Sequence, residues 1–149
     1  MYRQSLIIAL SIFTFSQLTA CQNYYLSQPN EPTEAALVAN SYKNGLSAAI
    51  ELDYLSVFQN LRQAYRRCIG FTRDDDLVFT ENKLEEHIEM ATLFARTERG
   101  EYVHKATVEK LSPTLTRFTL YLPQRYPFPN ARFEQDIKRA LGKDEYCNI

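Results

Sequence analysis

Hydrophobic positions along this chain recur at two spacings, and the spacing changes wherever glycine, proline or an acidic residue breaks the run. Ala48, Ile50 and Leu52 alternate with Ala49 and Glu51, the period of a short strand. Asp53 is placed to cap a helix. Tyr54, Val57, Phe58, Leu61, Ala64, Tyr65 and Cys68 then recur every three or four residues, which predicts an amphipathic helix of roughly four turns. Gln59, Arg62, Gln63, Arg66 and Arg67 fall off that stripe, and Gly70 lies just past its end.

Past the charged turn Arg73–Asp76 the period returns to two. Leu77–Thr80 is a predicted strand, and Glu86–Arg96 a longer one. Ile88, Met90, Thr92 and Phe94 share one face of the longer strand; His87, Glu89, Ala91, Leu93 and Ala95 share the other. Glu98–Glu101 makes a tight turn and Tyr102–Leu111 returns, before Ser112-Pro113 breaks the chain. Leu115–Leu122 is the last predicted strand, with Phe118, Leu120 and Leu122 on one face. Tyr126-Pro127-Phe128-Pro129 cannot continue a ladder, because proline lacks the donor. Asn130 is then the expected cap of a final helix that buries Phe133, Ile137, Ala140 and Leu141 and stops at Gly142. The order β-α-β-β-β-β-α predicts an α+β fold: an antiparallel sheet of about four to five strands, with two helices packed on one face.

The amino-terminal segment has a different pattern. One cation, Arg3, precedes a charge-free and almost wholly apolar run from Leu6 to Leu18. A helix of this length reaches roughly 20 Å, short of the ~30 Å bilayer core, so residues 1–20 are expected to be a secretory leader. The run closes on Leu18-Thr19-Ala20-Cys21. This quartet resembles the lipobox of bacterial lipoproteins: an aliphatic residue, two small ones, then the cysteine that becomes residue one. A thiol is needed to take a diacylglyceryl group as a thioether, and small side chains let extended backbone enter the peptidase cleft. The resemblance implies cleavage before Cys21 and a membrane anchor through lipid on its sulfur. In such lipoproteins an aspartate directly after the cysteine commonly marks inner-membrane retention. Here Gln22-Asn23 follows, which implies the outer membrane, facing the periplasm. Residues 21–44, interrupted at Gln28–Pro32, are expected to be tether, with one or two helical turns capped by Thr33, and residues 45–149 a single domain.

Charge and cysteine count narrow the function classes. Without the leader, 16 Lys+Arg face 18 Asp+Glu, a net charge of −2, which argues against a nucleic-acid partner. With Cys21 acylated, Cys68 and Cys147 remain, and an even remainder in an oxidising compartment predicts one disulfide.

Candidate chemistry is sparse. The two histidines, His87 and His104, lie far apart if the hairpin turns at Arg99-Gly100, because His104 then faces Ala95, eight residues from His87. That is about 26 Å at ~3.3 Å per residue, so no shared metal or proton relay is expected. The same register puts Ser112 near His87, but without nucleophile-elbow glycines or an orienting acid. Asp74-Asp75-Asp76 lacks the alternation and closing glutamate of a calcium loop. Arg62, Arg66, Arg67 and Arg73 form the cluster of most interest. They suit either a solvated helix end or an acidic partner or lipid headgroup. No cofactor or metal is implied. The expected protein is a membrane-anchored, non-catalytic envelope lipoprotein that binds an envelope protein or polymer. The alternative is a carrier of a small apolar ligand or lipid; a hydrolase using one of the many carboxylates has least support.

Overall fold

The computed structural model describes residues 33–69, 77–144 and 147. The leader, the quartet Leu18–Cys21, Arg73 and the triplet Asp74–Asp76 lie outside the described residues. In chain order the elements are helix α1 (Glu34–Ala39), β1 (Leu46–Ile50), α2 (Tyr54–Cys68), β2 (Val78–Glu85), β3 (Met90–Thr97), β4 (Tyr102–Ser112), β5 (Leu115–Tyr121) and α3 (Pro129–Ala140). The fold is α+β, with all five strands in one antiparallel sheet of order β1-β5-β4-β3-β2. β2 to β5 form a meander of short turns. β1 and β2 occupy opposite edges, and α2 carries the chain between them.

Helix α2 follows its apolar stripe. Asp53 caps it by accepting a hydrogen bond from the Ser56 amide at 2.9 Å, and bonds from Ser56 hold this carboxyl below its usual range. Val57, Phe58, Leu61, Ala64 and Tyr65 are buried. They meet alternate residues of the sheet: Ile50 from β1, Ala91 and Leu93 from β3, Ala106 and Val108 from β4, Phe118 and Leu120 from β5. Phe133, Ile137, Ala140 and Leu141 of α3 join the same core, so both long helices cover one face. Fully burying a side chain such as Leu93 or Phe118 contributes about 1.5–3 kcal/mol relative to exposure. The space between sheet and helices is filled by Leu61, Tyr65, Leu93, Phe118, Leu120 and their neighbours, all almost fully buried.

The β3–β4 register has His104 opposite Ala95, as the turn position predicts, with a bulge between Ala95 and Arg96 that leaves Val103 unpaired. The long strand expected from Glu86 is not continuous. Glu86–Ile88 forms a 3-10 turn and Glu89 takes a left-handed conformation (φ 54), so the ladder restarts at Met90. β2 in turn runs on to Glu85, beyond the four residues its pattern suggested. His87 therefore sits exposed in a turn, out of register with Ser112. Asn130 is not the cap of the last helix. Phe128 occupies the cap position in a left-handed conformation and Pro129 is the first helical residue, where its missing N–H is no loss.

The ordered domain also begins earlier than Gly45. Thr33 caps α1 through a bond from the Ala36 amide to its hydroxyl at 3.1 Å. Leu37 is buried, and Glu34 forms an ion pair with Lys105 of β4. Lys105 lies on the sheet face opposite the long helices, with its ammonium over the rings of Phe94 and Tyr121. Residues 33–44 thus cover part of the sheet's second face and belong with the domain, where the sequence suggested tether. The Tyr42 amide donates to the Leu122 carbonyl at 2.9 Å, fixing the entry to β1. Gly45 allows that entry. Its φ is +97, and a Cβ there would stand 2.8 Å from the Tyr121 ring. At the other end of the chain a disulfide joins Cys68, the last residue of α2, to Cys147 across a sequence separation of 79. No helix among the described residues is long and apolar enough to cross a membrane.

Candidate functional site

The densest chemistry in the fold is a buried cluster beneath the carboxyl-terminal half of α2. Asp136 of α3, with no exposed surface, accepts from the Tyr65 hydroxyl at 2.8 Å, from Arg132 Nε at 3.1 Å on both oxygens, and from Arg139 Nη1 at 2.9 Å. Arg139 Nε donates to Asp144 at 2.8 Å, and Arg132 Nη1 donates to the Tyr126 hydroxyl at 2.9 Å. The helix period builds the group, since Arg132, Asp136 and Arg139 are four and three residues apart and share one face. Tyr65 reaches them from the α2 stripe, and His104 from the core side of β4.

His104 is fully buried, its ring 4.6 Å from that of Tyr65 in an edge-on arrangement. Arg132 Nη2 lies 3.4 Å from His104 Nδ1. A guanidinium only donates, so Nδ1 is the acceptor and the proton sits on Nε2. Nε2 is buried and has no partner among the described residues. Burial first, and then the neighbouring Arg132 and Arg139 cations, push the His104 pKa well below its ordinary value. The Tyr65 hydroxyl is pushed well up, by burial and then by the Asp136 charge. Burial is the largest influence on Arg132 and opposes its charge, but Asp136, Tyr65 and Tyr126 together outweigh it and raise that pKa. The arrangement is structural: two guanidiniums and the Tyr65 hydroxyl direct four donated bonds onto the two oxygens of Asp136. The cluster ties α2, α3, β4 and the carboxyl-terminal segment together.

The arginines singled out in the sequence separate in the structure. Arg62 and Arg66 are exposed on the outer side of α2. Arg67, also largely exposed, donates from Nη2 to the Asp144 carbonyl at 2.6 Å and so helps hold the carboxyl-terminal segment. Arg73 is outside the described residues. Among the described residues no group of histidine, cysteine, aspartate or glutamate has the arrangement of a metal site.

A groove of about 720 Å³ runs along α3, between the end of α2 and the Tyr126–Pro129 loop. Ile69, Tyr126, Phe128 and Ala131 supply its apolar lining, and Arg132 and Arg139 its basic part. Phe128 is 83% exposed beside it.

Neither the apolar stripes nor the spacing of the two histidines reveals this cluster in the sequence. A usable clue was present. Asp136 is three residues from Phe133 and one from Ile137, on the face assigned to the core, and a carboxylate there needs buried donors. The chain matches no protein-family model, and no curated protein shows significant similarity to it.

Proposed function

We propose that this is a lipid-anchored protein of the bacterial cell envelope, whose single α+β domain acts as a non-catalytic binding or structural module. The observation that carries this proposal is the order of the amino-terminal residues: one cation, a short apolar run, then Leu18-Thr19-Ala20-Cys21. A thioether-linked diacylglyceryl group on Cys21, joined by a further acyl chain, would anchor the chain durably, since a single acyl chain holds only marginally. Gln22-Asn23 favours the outer membrane, facing the periplasm. From Cys21 to Thr33 the chain advances twelve residues, a reach of at most roughly 40 Å. The domain would therefore work close to the bilayer surface, with an envelope protein or polymer as partner.

Two features of the domain favour a binding role. The buried titratable groups are engaged with one another, and Arg62 and Arg66 stand on the outer side of α2, available to an acidic partner. A carrier of a small apolar ligand remains the second proposal, and the groove beside Phe128 favours it. The interior between sheet and helices is filled, so a ligand would have to lie in that outer groove.

Radiolabelled palmitate should enter the wild-type chain and not Cys21→Ala, and the substituted protein should leave the membrane fraction. Equal labelling of both, or none of either, rejects the anchor. For the module, capture from envelope extracts should weaken when Arg62 and Arg66 are both replaced by glutamine. Unchanged capture removes that surface from the proposal. Lipid co-purifying with the gently released domain, and lost on Phe128→Ser, would favour the carrier.

A further inference from the structure

The edge of the sheet at β2 presents unpaired backbone. β2 pairs with β3 along its whole length, from Val78↔Thr97 to Glu85↔Met90, without a bulge. It is the last strand of the sheet, and among the described residues no loop or helix donates to or accepts from its other edge. A straight edge of this kind is a template for another strand unless proline, a bulge, unmatched charges or a covering segment blunts it. β2 has neither proline nor bulge, and its charges alternate in sign, so a strand of the same sequence can match them. Its charges, Glu81, Lys83 and Glu85, lie on the outer face with Phe79, which is 51% exposed.

We propose that β2 pairs antiparallel with β2 of a second copy of this chain, about a two-fold axis through Asn82, to make one continuous sheet. A two-fold axis perpendicular to the sheet keeps every residue on its own face, so the registers it allows are those centred on a residue. The order of charges selects among them. Centred on Asn82, Glu81 stands opposite Lys83 of the partner subunit, and Lys83 opposite Glu81 of the partner subunit. Phe79–Glu85 then overlap, and Thr80 meets Leu84 of the partner subunit. Centred on Glu81, that residue would face its own copy. Centred on Lys83, the lysine would face its copy, and Glu81 would face Glu85 of the partner subunit. Centred on Thr80, Lys83 would have no strand opposite it and no opposite charges would meet; Phe79 faces a carboxylate of the partner subunit in this register and in the Asn82 one alike. Centred on Leu84, opposite charges meet, but the overlap shrinks to Lys83–Glu85 because the chain leaves the strand at Glu86. The Asn82 register therefore combines the widest overlap of opposite charges with no like-charge pair. Within one copy Lys83 already pairs with Glu85 at 2.8 Å, and Glu81 with Arg96. The two cross-strand pairs extend these into one alternating row.

The test uses the full-length chain in cells, with mild oxidation followed by a non-reducing gel. Opposed Cβ atoms in an antiparallel pair are about 4.5–5.5 Å apart, close enough for a disulfide after small adjustment. Asn82→Cys should give a cross-linked dimer. Phe79→Cys, displaced from its own copy by six residues or roughly 20 Å, should stay a monomer, as should the wild-type chain. In the Asn82→Cys background, Glu81→Lys or Lys83→Glu alone should lower the cross-linked fraction several-fold. The two together should restore it, because the opposite-charge pairs are re-formed with reversed sense. A monomer from Asn82→Cys with an unchanged melting curve would overturn the proposal. So would equal cross-linking of Asn82→Cys and Phe79→Cys, or a yield unmoved by the single charge reversals. An unlipidated Cys21 would itself cross-link the wild-type chain and Phe79→Cys alike, so the wild-type lane separates failure of the anchor from failure of the β2 pairing.

Discussion

Substituting Asp136 by asparagine removes one charge from the centre of the buried cluster while leaving its volume almost unchanged. In the folded protein this carboxylate receives bonds from Tyr65, Arg132 and Arg139. The side chain of Arg139 is 3% exposed and that of Arg132 13%, so neither cation can turn to water without moving α3. Breaking a buried pair by deleting one partner costs about 3–5 kcal/mol, because the remaining charge is stranded. Arg139 keeps Asp144 and Arg132 keeps the Tyr126 hydroxyl, which places the expected loss near the lower end, about 3 kcal/mol. Against a total stability of about 5–15 kcal/mol that is a large fraction. For a domain of this size it corresponds to a fall in melting temperature of roughly 10–15 °C. Circular dichroism at 222 nm during urea and thermal unfolding would measure it. Arg117→Ala provides the contrast: its pair with Glu109 is about half exposed on both sides, and such pairs contribute about 0–1 kcal/mol. An Asp136→Asn protein that melts within about 2 °C of wild type would refute the buried-clamp account.

The remaining predictions concern pH, the carboxyl terminus and the entry to the sheet. His104 is held neutral in the folded state, with its pKa depressed below the ordinary value near 6.5. Its contribution to stability is therefore complete above about pH 6.5 and is lost as pH falls below that toward the depressed folded value. Unfolding free energy should decline between about pH 6.5 and 5, by at most ~1.4 kcal/mol per pH unit, and His104→Gln should flatten that slope; equal slopes would remove His104 as its source. Replacing Cys147 by serine opens a loop with a sequence separation of 79 and is expected to cost roughly 4–5 kcal/mol on the chain-entropy model, less if the reduced chain keeps structure. Two alkylatable thiols at Cys68 and Cys147 in the native protein would contradict the bridge. Gly45→Ala forces a Cβ to within 2.8 Å of the Tyr121 ring at a φ of +97, so a loss of about 1–3 kcal/mol is expected in denaturant titrations. A neutral effect would mean that Tyr121 yields freely.

Elements whose hydrophobic period was strong could be read from the sequence alone. The stripe from Tyr54 to Cys68 predicted α2 end for end, and the Arg99-Gly100 turn set the pairing of His104 with Ala95. Periodicity failed at the turn between β2 and β3. From His87 to Met90 polar and apolar residues alternate as in a strand, and no glycine or proline marks the 3-10 turn at Glu86–Ile88 or the left-handed Glu89. Short helix α1 was visible as a capped turn at Thr33, but its docking was not. The bond that fixes it comes from Lys105, distant in sequence and on a face with no recognisable stripe.

The buried cluster was missed for a related reason. Asp136 falls on the apolar face of the last helix and so signals a buried carboxylate, but its donors Tyr65, Arg132 and Arg139 are brought together only by the tertiary fold. The disulfide, by contrast, follows from counting, provided that Cys21 is committed elsewhere. The arginine group was legible as a feature and not as a unit: Arg62 and Arg66 remain outward while Arg67 grips the Asp144 carbonyl.

The proposed membrane attachment through the sulfur of residue 21 underlies the proposed compartment and the proposed closeness of the domain to a bilayer. Mass spectrometry of the amino-terminal peptide from the protein purified out of membranes tests it most directly. The account predicts a chain beginning at Cys21, heavier than its amino acids by a thioether-linked diacylglyceryl group and further acylation. A peptide that still contains Leu18-Thr19-Ala20, or one that starts at an unmodified Cys21, would contradict it.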